Sequence, residues 1–159
     1  MITMRTVSIR FGENFAPPCG TIEAHLEILR KKGFVWYGKL GAPINSAATK
    51  ELLKDGPVDF LLIKSGTFDR YWLTVSKIER TEPNKSEYPS YYWEFGPKIK
   101  CWLKVTGIRK AEQDVMSKCL VVSSKRRLSE VSKGSLNPCL HIEYYPDGLG
   151  DIDDNQLLS

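Results

Sequence analysis

The stretch Gly33-Phe34-Val35-Trp36-Tyr37-Gly38-Lys39-Leu40-Gly41 sets two large rings and a cation among glycines. A π-face beside a cation can stack a nucleobase or hold its phosphate. Rings recur further on at Tyr88, Tyr91, Tyr92, Trp93 and Trp102. A site that accepts one planar base needs two or three such rings, because stacking supplies affinity without a sequence demand. It also needs polar groups for the base edge, and Asn14, Asn45 and Ser65 qualify by type. Cations for the flanking phosphates are available at Lys39, Lys98, Lys100, Lys104, Arg126 and Arg127.

Each of these residues has a plainer reading. Large rings dominate protein interiors, so many of them belong to the core. Lysines on a strand face also suit a solvated sheet edge. Trp102 shares its strand face with Lys100 and Lys104, so either a loop covers it or it is exposed for stacking. Lys125-Arg126-Arg127 reads as the start of a short helix capped by Ser124, where cations oppose the helix dipole.

Catalytic chemistry finds little support in the same sequence. There are two histidines. His25 falls between Ile22 and Leu29 on an apolar helix face, where a packed imidazole is the ordinary outcome. Cys19 precedes it by six residues at a helix entrance, a place that can lower a thiol pKa. Cys139 and His141 share a strand face and form half of a metal site with no second pair. No GxGxxG, Walker A, HExxH or GxSxG pattern occurs. The expectation is therefore a binding protein with no catalytic residues, no metal and no cofactor.

These groups have to be positioned by a chain of 159 residues, enough for one domain with a substantial core. Hydrophobic content of 42% and charged content of 26% fit a globular protein. No apolar run approaches the roughly 18–20 residues that span a bilayer, so no membrane partner is expected. Met1-Ile2-Thr3-Met4-Arg5 has no apolar signal core, and the four cysteines form no CxxC pair. Both point to a reduced, cytoplasmic setting. The net charge is +4, and Asp147, Asp151, Asp153 and Asp154 gather acid at the end, which leaves a more basic body. The domain is expected over 1–146, with a flexible acidic tail over 147–159.

The elements follow from pattern. Strands are expected at 4–11, 34–37, 58–63, 70–78, 99–105, 118–123 and 140–145, from β-branched and alternating apolar residues. Helices are expected at 22–32, capped by Thr21 and stopped by Gly33, at 47–54, capped by Asn45 or Ser46, and at 125–132. Residues 79–90 form a long polar loop. The order β-α-β-α-β-β-β-β-α-β predicts an α+β domain with a curled mixed sheet or small open barrel, flanked by about three short helices.

The run Pro18-Cys19-Gly20-Thr21-Ile22-Glu23-Ala24-His25, the Gly33 to Lys39 segment, Tyr88-Pro89-Ser90-Tyr91-Tyr92 and the Trp102-Leu103-Lys104-Val105 strand together resemble EVE-type domains of the PUA-like superfamily. The resemblance extends to the YTH domains and to readers attached to McrBC-type defence systems. It implies a small β-barrel that flips one methylated or hydroxymethylated base into an aromatic cage. The cage tryptophan would fall on Trp36, with Trp93 and Tyr91 or Tyr92 as the second wall. Tyr37 stands where the related pattern often carries a second tryptophan, which leaves the base preference open. The implied partner is DNA or RNA carrying a modified base, and the effector is a nuclease or NTPase supplied in cis or in trans. The alternatives are a small hydrolase or RNase of the ASCH type and a protein-interaction domain.

Overall fold

The computed structural model describes residues 4–11, 16–64, 69–134 and 139–149, with the side chains of 133 and 134 excepted. Asn14, Ser65 and the acidic stretch beyond Leu149 lie outside the described residues. The chain folds as β1 (Met4–Arg10), α1 (Thr21–Lys32), β2 (Val35–Gly38), α2 (Ser46–Leu53), β3 (Val58–Ile63), β4 (Arg70–Glu79), β5 (Trp102–Lys110), β6 (Cys119–Val121), α3 (Leu128–Gly134) and β7 (Cys139–Tyr144). Short 3-10 turns occupy 85–87, 90–92, 96–98 and 115–118. The order of strands and helices is the expected one, and so is the α+β class.

All seven strands join one mixed sheet in the order β2-β5-β4-β3-β1-β7-β6. The β1–β3 pair is parallel and the others are antiparallel. Three strands separate β1 from β2 in that order, yet Ile9 to Phe11 and Tyr37 to Lys39 line one cavity. The sheet therefore curls until its β2 edge approaches the end of β1. Right-handed strand twist makes such curling natural, and the bulges of β4 opposite β5 increase it locally.

Inside the curl lie Val7, Ile9, Val35, Tyr37, Phe60, Leu62, Leu73, Val75, Leu103 and Val105, roofed by α1 and α2 through Ile22, Ile28, Leu29, Ala48 and Leu52. The outer face of β3 buries Leu61 and Ile63 against Val115, Met116, Val121 and Leu128. Phe60-Leu61-Leu62-Ile63 is thus covered on both faces, which is why it reads as a continuous apolar run. Each such side chain contributes about 1.5–3 kcal/mol relative to leaving it in water. The one charge in β3, Asp59, ties strands together. Its carboxylate accepts from Thr74 Oγ1 at 2.8 Å and Arg109 Nη2 at 2.7 Å, and its carbonyl accepts from Thr6 Oγ1 at 2.6 Å. Desolvation opposes its charge, but the bonds from Arg109 and Thr74 outweigh that and hold the carboxyl below its ordinary pKa.

Three local expectations are corrected. Thr21 does not cap α1; Gly20 takes that position and the Thr21 carbonyl accepts a bond from His25 instead. β5 starts at Trp102 and runs to Lys110 because the long β4 offers it a partner along that whole length, overriding the polar Thr106-Gly107 pattern. Lys125 to Arg127 precede α3. Their backbone groups are committed to β6, with Lys125 N–H bonded to the Val121 carbonyl and Val121 N–H to the Arg126 carbonyl, both at 2.8 Å.

Candidate functional site

The most chemically distinctive concavity lies where the curl nearly closes. It measures about 150 Å³ and takes Ile9, Arg10 and Phe11 from the end of β1 and the residue after it, Thr21 from the start of α1, Tyr37 to Leu40 from β2 and its exit, and Tyr91, Tyr92 and Phe95 from the 90–92 turn and the stretch that follows it. Five rings, Phe11, Tyr37, Tyr91, Tyr92 and Phe95, face this space. Gly33 puts Tyr37 there: it stops α1 in a left-handed conformation (φ 83°), and its N–H bonds to the Leu29 carbonyl, so β2 begins at once. Alternation along β2 then sends Val35 and Tyr37 inward and Trp36 outward.

Two titratable groups at the cavity, Tyr92 and His25, are held in their neutral forms by burial. Tyr91 and Tyr92 stack at 4.3 Å, and Phe95 meets Tyr92 edge-on at 5.8 Å. Burial, reinforced by Tyr37 and Tyr91, raises the Tyr92 hydroxyl well above its usual pKa, and the Gly38 backbone only partly offsets this. Behind the rings sits His25, 2% exposed. Its Nδ1–H donates to the Thr21 carbonyl at 2.7 Å, and Nε2 has no hydrogen-bond partner. Burial lowers its pKa to about 4, with the Thr21 bond acting in the opposite sense. Lys39 is buried at the rim, where Nζ donates to the Ala42 carbonyl at 2.6 Å and more weakly to that of Leu40 at 3.4 Å. The lysine thereby ties down the 40–42 loop, and Leu40, exposed, lines the cavity beside it.

A second ring cluster stands on the other face of β2. Trp36, Tyr88, Tyr92, Ile99 and Trp102 pack together, with Tyr88 4.8 Å and Tyr92 5.8 Å from Trp102 between ring centroids. Trp102 is fully buried: the loop covers it, and no face is left for a base. Trp36 is 7% exposed, and its Nε1 donates to Glu87 at 3.3 Å. Trp93 is 46% exposed and lines a neighbouring groove, its Nε1 held by the Lys85 carbonyl at 3.2 Å.

Of the sequence-derived candidates, the cavity therefore gathers Tyr37, Lys39, Tyr91 and Tyr92. Trp36 and Trp102 belong to the packed cluster, and Trp93 to the groove. Asn45 caps α2, its Oδ1 accepting from the Ala47 and Ala48 amides at 2.8 and 3.3 Å. Lys98 and Lys100 are exposed, and Lys104 lies 4.6 Å over the Phe34 ring. Arg126 pairs with Glu130 at 3.4 Å, and Arg127 bridges to Leu120 on the β6 side. Phe11, Thr21, Leu40 and Phe95 were not singled out from sequence. Phe95 had a signal in the ring-dense Tyr91 to Phe95 stretch, whereas Phe11 becomes part of the site only through the curl.

A family model described as Pua-like matches residues 7–133. The chain belongs to the Pua-like family, and such domains are in general nucleic-acid-binding modules. Comparison with curated proteins and with solved structures gives no match. Among the described residues no helix is long and apolar enough to cross a membrane.

Proposed function

We propose that this chain is a non-enzymatic reader of nucleic acid, of the EVE type, that receives one extruded modified base in the five-ring cavity at the closure of the curl. The observation that carries the reading is the enclosure of about 150 Å³ by Phe11, Tyr37, Tyr91, Tyr92 and Phe95 beside a lysine. Ring faces reward a planar base whatever its sequence context. A methyl group on that base adds apolar area that the same rings cover. Exposed Lys98 and Lys100 are available to the flanking phosphates. Base extrusion costs a few kcal/mol, least in single strands, so single-stranded or locally opened targets are favoured. A defence or restriction role, with a nuclease or NTPase as effector, follows from the likeness to readers in such systems.

Binding without turnover is favoured over an ASCH-type hydrolase by the protonation states at the cavity. General acid–base catalysis works best with a pKa near the working pH. His25 is displaced far below that range and Tyr92 far above it. The test is fluorescence anisotropy with end-labelled single- and double-stranded oligonucleotides carrying N6-methyladenine, 5-methylcytosine, 5-hydroxymethylcytosine or no modification, at two salt concentrations. The reading expects salt-sensitive binding that favours one modification, with intact oligonucleotide recovered afterwards. Shortened or altered oligonucleotide would favour the hydrolase instead.

A further inference from the structure

We infer that the groove beside the cavity is a second nucleotide subsite, in which the base adjacent to the extruded one stacks on Trp93. This rests on the proposed reading of the cavity and adds to it the number of nucleotides engaged and what holds the second.

Four observations carry the inference. Among the described residues, Leu40 and Trp93 are the large hydrophobic side chains left exposed, at 50% and 46%. Both border the same region: Leu40 lines the cavity, and Trp93 lines a groove of about 460 Å³ that shares Tyr91 with it as a common wall. A strand that places one base against the inner side of Tyr91 therefore brings its neighbour to the groove. Second, the indole is held in place. Nε1 donates to the Lys85 carbonyl at 3.2 Å, so the ring is fixed by its edge while its body stays accessible. A preset platform loses little freedom when a base settles on it. Third, the rest of the groove is built for a ring: Ala24 and Ile28 of α1 and Pro89 supply apolar surface. Fourth, charge in the groove is balanced, with Lys85 and Glu27 as its only charged lining residues among those described. Such a groove suits the neutral face of a base better than a phosphate. It carries no dense set of edge-reading groups, so it should accept any base and favour the larger purine ring.

The structure also makes the test selective. Trp36, Trp72 and Trp102 are 7%, 3% and 0% exposed, so contact quenching of tryptophan emission by a bound base reports on Trp93. The probes are single-stranded trinucleotides whose central base is the best-bound modified base, flanked either by adenines or by abasic sites. The inference expects strong quenching by the adenine-flanked probe and little by the abasic one. Trp93→Ala should weaken the adenine-flanked probe about tenfold or more and leave the abasic probe unchanged. Trp93→Phe should recover most of that loss, which a purely structural role for the indole bond would not give. The subsite is overturned if wild-type protein binds both probes equally and Trp93→Ala binds the adenine-flanked probe as wild type does. Failure of wild type to bind either probe overturns the cavity reading along with it. Trp93 is exposed, so its removal should leave the far-ultraviolet circular dichroism and the melting temperature near wild type.

Discussion

The imidazole of His25 lies 5.1 Å from the ring of Tyr37, centroid to centroid, with the two planes 35° apart. His25 also meets Tyr92 edge-on at 5.7 Å, so one buried ring backs two walls of the cavity. Its position on α1 is thus coupled to the wall that a base would touch. The coupling is apolar, because the ring is neutral and 2% exposed.

That neutrality has a pH signature. The folded-state pKa is about 4 against an ordinary 6.5. Between those values the unfolded chain binds a proton at His25 and the folded protein does not. Stability therefore rises with pH across that interval and is fully present above about pH 6.5. The separation corresponds to a contribution on the order of 3 kcal/mol. Urea unfolding at a series of pH values should show wild type losing more stability toward pH 4 than His25→Phe does. Identical slopes for the two proteins would mean that His25 is not held neutral by burial.

Gly38 faces Trp102 across the β2–β5 pair. A methyl group there would come within 2.8 Å of Ile99 Cδ1 and 3.1 Å of Trp102 Cζ3. Gly38→Ala must displace the Ile99 side chain and crowd the buried Trp102 ring, at a cost of about 1–3 kcal/mol. The midpoint of chemical denaturation should fall accordingly, and an unchanged midpoint would show that the cluster has slack.

Trp36 and Tyr91 should separate folding from recognition. Trp36→Ala empties the buried cluster and should destabilise by about 3–5 kcal/mol. Tyr91 is half-buried between cavity and groove. Tyr91→Ala should leave a folded protein and reduce oligonucleotide affinity by about 1–3 kcal/mol, the usual scale for one stacking ring. Calorimetric melting beside anisotropy titration checks both, and equal binding losses at equal stability would refute the division of roles.

How far the sequence could be read follows from which interactions are local. Gly33 stopping α1, a cap for α2 at Asn45 or Ser46 and the strand at 58–63 are written in a few neighbouring residues, and all were legible. The extension of β5 to Lys110 was not, because its ladder is set by the distant length of β4. Parity hid the site in the same way. Trp36 and Tyr37 are adjacent rings of similar promise, and only the inward turn of Val35 and Tyr37 within the curl decides which one reaches the cavity. Phe11 was illegible as a site residue, because it meets Tyr37 only through a sheet whose strand order brings β1 and β2 together across three others. Trp102 carried an ambiguous signal between flanking lysines, and Gly38 resolved it by making room for the indole.

Entry of a base into the cavity bounded by β1, α1, β2 and the Tyr91 to Phe95 stretch can be followed residue by residue with amide chemical-shift mapping. Isotope-labelled protein would be titrated with the tightest-binding oligonucleotide. The largest shifts should fall on Thr21, Tyr37, Gly38, Lys39, Leu40 and Tyr91, and they should disappear in Tyr91→Ala at the same oligonucleotide concentration. Shifts confined to β6, α3 and β7, with the Thr21 and Tyr37 to Leu40 amides unmoved, would contradict it.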